Sequence, residues 1–234
     1  MLVQVLVLFA ALEARAGQDK GAPEKLDVPN SSPAFYYQPI ARGLQPVIMY
    51  LHGRSGYPSE DCKKWAHAAR DLGWVVCPQG PESRDAGSRG WANDPVSAKR
   101  IIDATLNALR EKYGRRVQMR GNVLVGFSEG AFVAMQVGLQ DPKTWNRWLI
   151  LGGSDGYIFN GKEAIEENHS TLRRVYFFTG KNDEVAPNTE KAAEIFKSAK
   201  VPVRVRIEPG LGHEVPADKM RTNYRKPLRW LLAQ

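Results

Sequence analysis

Apolar and polar positions alternate in blocks along the chain. Val47, Ile48, Met49, Tyr50 and Leu51 form a near-continuous apolar run, the pattern of a strand covered on both faces. The run ends at His52-Gly53. Ser59 can cap a helix reaching about Asp71, with Trp65, Ala66, Ala69 and Leu72 on one face. Gly73 stops that helix, residues 73–77 form a second strand, and Pro78 ends it. Residues 81–94 read as a loop. Asp94-Pro95 then supplies a cap and a first-turn proline. The helix that follows buries Val96, Ile101, Ile102, Leu106 and Leu109, and Gly114 comes after its end. Further strands are predicted at 122–126, 148–152, 175–179 and 203–207, and helices at 129–139 and 189–198. A short helix around 228–232 closes the chain after Pro227.

Strands alternating with helices predict the α/β class, with a mostly parallel central sheet and helices on both faces. No repeat, low-complexity block or linker divides residues 46–234, so they read as one domain. Residues 17–45 read as an extended lead-in and first edge strand, since Pro23, Pro29 and Pro33 oppose helix. Residues 2–12 are apolar apart from Gln4, and Ala14-Arg15-Ala16 offers small residues at the spacing of signal cleavage. Residues 1–16 are therefore expected to be a cleaved signal peptide of a secreted or periplasmic protein. No Lys or Arg precedes the stretch, which keeps open an N-terminal element of a cytoplasmic protein. The stretch is too short to span a bilayer, so stable membrane insertion is not expected.

Composition narrows the classes. The chain has 234 residues, 43% hydrophobic and 25% charged, which excludes a disordered tail or a fibrous repeat. Two cysteines, Cys62 and Cys77, cannot make a zinc site of four thiolates. Export would place them in an oxidising compartment. A bridge closing a loop of about 15 residues stabilises by roughly 3 kcal/mol in the chain-entropy model. Two buried free thiols are the alternative, because Cys77 ends the run Trp74-Val75-Val76. The net charge of +8 is spread along the chain with no stripe of basic residues between aromatics. Nucleic acid is therefore not the expected partner, although a basic surface favours anionic partners.

The chemistry centres on Gly126-Phe127-Ser128-Glu129-Gly130. An apolar strand runs into this segment and a helix rich in small residues leaves it, the context of a nucleophile elbow. The serine sits on a sharp turn that pushes its hydroxyl beyond the sheet, and Gly126 and Gly130 allow the close backbone approach this needs. A serine needs a base. Of His52, His67, His169 and His213, the last follows the final strand in Gly210-Leu211-Gly212-His213 and is the best placed. The base needs an acid to hold its tautomer. Asp183, in the turn after the 175–179 strand, is the choice over Glu184 and Asp155. Ser128, Asp183 and His213 all stand at carboxyl ends of strands, where open parallel sheets place their sites. An oxyanion hole would need two backbone N–H groups. The candidates are Glu129, which follows the serine, and Arg54, in the loop that Gly53 tightens after the first strong strand. His52 would brace that loop.

These motifs, the strand–His-Gly loop, the G-x-S-x-G elbow, the G-x-x-D turn and the G-x-G-H loop, resemble those of the α/β-hydrolase superfamily from about Pro46 onward. The small lidless carboxylesterases are most similar: the phospholipase/carboxylesterase, dienelactone-hydrolase-like and secreted esterase groups. The resemblance implies an α/β-hydrolase fold and a Ser-His-Asp serine esterase, acting through an acyl-enzyme without metal or organic cofactor. The chain departs from dienelactone hydrolases, whose nucleophile is cysteine. Only residues 154–174 could form a cap, so an open site is expected. Trp91, Tyr157 and Phe159 could wall it or merely anchor their loops. Such a site suits a small-molecule or polymer-end ester. A serine peptidase or thioesterase of the same fold, or an inactive hydrolase-fold binding protein, are the alternatives.

Overall fold

The computed structural model describes residues 21–158 and 161–233. In chain order the elements are β1 (Glu24–Leu26), β2 (Ala34–Tyr37), β3 (Val47–Leu51), α1 (Pro58–Ala69) and β4 (Trp74–Cys77). A small hairpin follows, β5 (Glu82–Ser83) with β6 (Arg89–Gly90), then α2 (Pro95–Tyr113), β7 (Val123–Phe127) and α3 (Glu129–Gln140). The second half holds β8 (Arg147–Leu151), α4 (Gly161–Asn168), β9 (Arg174–Gly180), α5 (Ala186–Ser198), β10 (Val203–Glu208) and α6 (Met220–Leu232). Eight strands form one sheet in the order β1-β2-β4-β3-β7-β8-β9-β10. From β4 to β10 all neighbours pair in parallel. The edge strands β1 and β2 pair antiparallel, and so do β2 and β4.

The side-chain alternation of β3 shows why its sequence is continuously apolar. Val47, Met49 and Leu51 enter one core layer with Ile102 and Leu106 of α2, Ala134 of α3 and Phe196 of α5. Ile48 and Tyr50 enter the other with Trp65 of α1 and Leu228 of α6. Both faces are covered, so neither can be polar.

Four local expectations are corrected. Helix α1 begins at Pro58 with Tyr57 in the cap position and no side-chain cap, so Ser59 lies inside the first turn. Val96 is 64% exposed although Asp94 caps α2 through Val96 N and Ser97 N as expected. Its side chain leaves the first turn outward, and Ala98 carries the stripe there instead. Residues 81–94 contain the β5–β6 hairpin. The last helix starts well before Pro227 and contains it. An internal proline costs about 3 kcal/mol. Burying Met220, Tyr224, Leu228 and Leu231 stabilises by roughly 1.5–3 kcal/mol each, which outweighs that cost.

Residues 1–16, expected to form a signal peptide, lie outside the described residues. Among the described residues no helix is long and apolar enough to cross a membrane. Between β8 and β9 the chain adds a short turn, Asp155–Tyr157, and α4, with no substantial cap among the described residues. Cys62 and Cys77 are free thiols, both buried. Cys62 faces the carbonyl oxygen of Phe35 at 3.4 Å.

Candidate active site

Ser128 occupies the turn between β7 and α3 with φ 53° and ψ −117°, a conformation disfavoured for any residue with a Cβ. The surroundings enforce it. A Cβ on Gly126 would fall 2.2 Å from the Gly130 carbonyl oxygen, and one on Gly130 would fall 2.1 Å from that of Leu51. Neither backbone can retreat without breaking the β3–β7 pairing. The Ser128 amide donates to the Leu151 carbonyl oxygen at 3.0 Å, which ties the elbow to β8.

The turns after β9 and β10 bring two more side chains to this point. His213 Nδ1 lies 2.7 Å from Asp183 Oδ2, and its Nε2 lies 2.9 Å from Ser128 Oγ. A carboxylate can only accept, so Nδ1 carries the ring proton and Nε2 accepts from the serine hydroxyl. Asp183 is 5% exposed. Its Oδ2 also accepts from the Thr179 hydroxyl at 2.9 Å, and its Oδ1 accepts from Val185 N at 3.0 Å. The two loops are bonded to each other, with Asn182 N donating to Leu211 O at 2.9 Å. Phe127 packs against the His213 ring at 4.9 Å between centroids. Of the rival acids, Glu184 is exposed and Asp155 accepts from the Ser154 hydroxyl at 3.3 Å. His67 lies on α1, and His169 is exposed and bonded to Glu166 O.

Among the described residues, the backbone N–H groups of Arg54 and Glu129 have no backbone acceptor. Glu129 follows Ser128 at the start of α3, and Arg54 lies in the loop after β3. They are the two backbone donors expected from the sequence for an oxyanion hole. Gly53 is fully packed, and a Cβ there would meet the Phe127 ring at 2.9 Å. The Glu129 side chain has a role that its sequence position did not suggest. It is buried, and its carboxylate accepts from Trp91 N at 2.9 Å and Asn93 N at 3.3 Å. Those partners lie on a remote loop, so no local pattern could have revealed them.

His52 braces the loop from inside. Gly80 N donates to its Nε2 at 3.0 Å, so Nδ1 carries the proton and donates to Gly53 O at 2.8 Å. Burial lowers the pKa of His52 below its usual 6.5. The unfolded chain therefore takes a proton near pH 6.5 that the folded chain resists. This contribution is fully present above that pH and is lost as pH falls towards the lower folded value. The stability gap between wild type and His52→Gln, measured by urea unfolding, is expected to shrink between pH 8 and pH 5. The change is at most about 1.4 kcal/mol per pH unit. A gap constant over that range would contradict the burial of a neutral ring.

The expected pocket walls divide. Trp91 is corrected: it is fully buried, stacks on His52 at 5.1 Å, and donates from Nε1 to His52 O at 2.9 Å. It anchors its loop and cannot wall an open site. Tyr157 is partly exposed, and its ring meets Phe132 edge-on at 5.8 Å. Phe159 lies outside the described residues. Two further contributors went unread in the sequence. Thr179 orients the acid, and Gly152, at φ 55°, leaves room for the imidazole: a Cβ there would sit 2.9 Å from His213 Cε1. A cavity of about 570 Å³ lined by Ser31, Gln79, Ser97 and Arg100 contains none of the site residues. Among the described residues no group of three or more His, Cys, Asp or Glu could hold a metal ion.

No protein-family model matches the chain, and no curated protein matches it in sequence. Solved structures do match in shape. The carboxylesterase of Bacillus cereus is 16% identical with a TM-score of 0.59, over 85% of this chain and 92% of that one. Est1E from Butyrivibrio proteoclasticus is 11% identical with a TM-score of 0.66, over 92% and 100%. A predicted CIB-like hydrolase from Thermoplasma acidophilum is 20% identical with a TM-score of 0.65, over 89% and 96%. With its strand order and helices on both faces of the sheet, the chain has the α/β-hydrolase fold.

Proposed function

We propose that this chain is a serine hydrolase that cleaves carboxylic esters through an acyl-enzyme. The observation that carries the reading is the relay from Ser128 Oγ through His213 to Asp183, at 2.9 and 2.7 Å. Esterases among the proteins of similar shape support it.

In this reading Ser128 Oγ attacks the ester carbonyl carbon while its proton passes to His213 Nε2. The carbonyl oxygen becomes an oxyanion held by the amides of Arg54 and Glu129, each contributing about 3–4 kcal/mol. Asp183 stabilises the imidazolium without taking its proton. The tetrahedral intermediate collapses, the C–O bond breaks, and His213 hands its proton to the departing alkoxide. Water then attacks the acyl-serine with His213 as base again. The product acid leaves and the Ser128 hydroxyl is restored. The strained Ser128 backbone costs of order 1–3 kcal/mol and holds the nucleophile in line before substrate arrives.

The absence of a substantial cap among the described residues favours short acyl chains, aryl esters or protruding polymer ends. A chromogenic series tests this. We expect turnover of p-nitrophenyl acetate and butyrate, with a p-nitroanilide peptide inert. Amide turnover matching ester turnover would instead favour a peptidase. Export after removal of residues 1–16 belongs to the same proposal.

A further inference from the structure

Arg54 does more in this geometry than offer a backbone amide. Its side chain is 55% exposed and lies against Glu129, the residue after the nucleophile. The guanidinium Nη2 stands 3.5 Å from Glu129 Oε1, beside the nucleophile. That separation is longer than the 2.7–2.9 Å of a charge-assisted hydrogen bond. The Glu129 carboxylate is buried and already accepts from Trp91 N and Asn93 N. It therefore aims the guanidinium without saturating it. An arginine carries five N–H donors in a planar fork, and among the described residues Glu129 is the partner that Arg54 has. The exposed carboxylates on the acid and base loops, Glu184 and Glu214, form no bond with it.

Asp183 is spent on His213, Thr179 and Val185. Tyr157, in the loop after β8, is partly exposed, with its ring edge-on to Phe132 of α3. An ester docked with its carbonyl oxygen on the Arg54 amide would bring its own substituents within reach of the Arg54 fork. A carboxylate there would gain a bidentate pair; a neutral group would leave the outward N–H donors of the fork to water, with Glu129 as the cation's partner.

We infer that Arg54 is the group that selects substrate, and that the site prefers esters bearing a carboxylate near the scissile bond. This rests on the ester-hydrolase reading above. The reaction is unchanged: water is added across the ester C–O bond, and the carboxylate takes no part in bond making.

Two matched pairs test the inference. For the acyl side, p-nitrophenyl butyrate is compared with mono-p-nitrophenyl glutarate. For the alcohol side, phenyl acetate is compared with 4-acetoxybenzoate. Wild type, Arg54→Gln and Arg54→Lys are assayed on all four, and the quantity read is the anionic-to-neutral ratio of kcat/KM in each pair. At least one ratio is expected to fall about 10- to 100-fold in Arg54→Gln, the range for losing a charge-assisted hydrogen bond. The loss should appear mainly in KM, and Arg54→Lys should retain part of the preference. An equal loss on both members of each pair leaves the ratios unmoved; it would reduce Arg54 to holding its loop and overturn the inference. A wild type active on neutral esters whose ratios survive Arg54→Gln would overturn it too. A wild type inert on all four esters would instead remove the hydrolase reading beneath it.

Discussion

Ser128→Ala is expected to lower kcat/KM for p-nitrophenyl butyrate by about 10⁴- to 10⁶-fold, the range seen when a serine nucleophile is deleted. In the proposed mechanism the residual rate comes from the amides of Arg54 and Glu129 and from substrate positioning, which the substitution leaves in place. The fold should survive. Alanine has the same Cβ as serine, so it adopts φ 53° at a similar cost, and among the described residues His213 is the partner of the Ser128 hydroxyl. The measurement is a steady-state assay on protein whose urea midpoint matches wild type. Activity within ten-fold of wild type would show that another group attacks the ester.

Asp183→Asn is expected to cost about 10⁴-fold in kcat. The mechanism is tautomeric. In wild type the carboxylate can only accept, which places the ring proton on Nδ1 and frees Nε2 as the base. The asparagine oxygen would keep Val185 N, the backbone donor on the Oδ1 side, which puts the NH₂ at the Oδ2 position, where the Thr179 hydroxyl can turn to accept from it. Its NH₂ would then meet His213 Nδ1, shift the proton to Nε2 and block removal of the serine proton. Stopped-flow assays from pH 6 to 10 check this. Partial rescue at high pH, where hydroxide can take the proton, fits a tautomer defect. Near-normal activity at neutral pH would move the acid's role to Asp155 or Glu184.

The parts of the fold legible in the sequence were those set by local periodicity. The β3 run reads as a strand because both faces are covered, and the elbow reads as a turn because Gly126 and Gly130 are the residues that such close backbones admit. Ser128, Asp183 and His213 could be chosen because each follows a strand at the same edge of a parallel sheet. The less legible parts depended on contacts remote in sequence. Val96 has an apolar side chain at a stripe position, yet it lies in a first turn that no neighbour covers. Pro227 looked like a stop, although Met220, Tyr224, Leu228 and Leu231 already held the helical spacing. Trp91 looked like a pocket wall because its loop is long, and its real partner, His52, lies 39 positions away. The Glu129 carboxylate bonds to Trp91 N across 38 positions. No window short enough to show periodicity contains both ends of such a contact.

The central claim is that His213 activates Ser128 as a nucleophile, and active-site labelling tests it most directly. Purified protein is treated with a fluorophosphonate and mapped by peptide mass spectrometry. The relay predicts one phosphonate adduct, on Ser128, formed rapidly in wild type and slowed at least about 10³-fold in His213→Gln. Labelling elsewhere, or labelling of Ser128 at an equal rate without the imidazole, would contradict it.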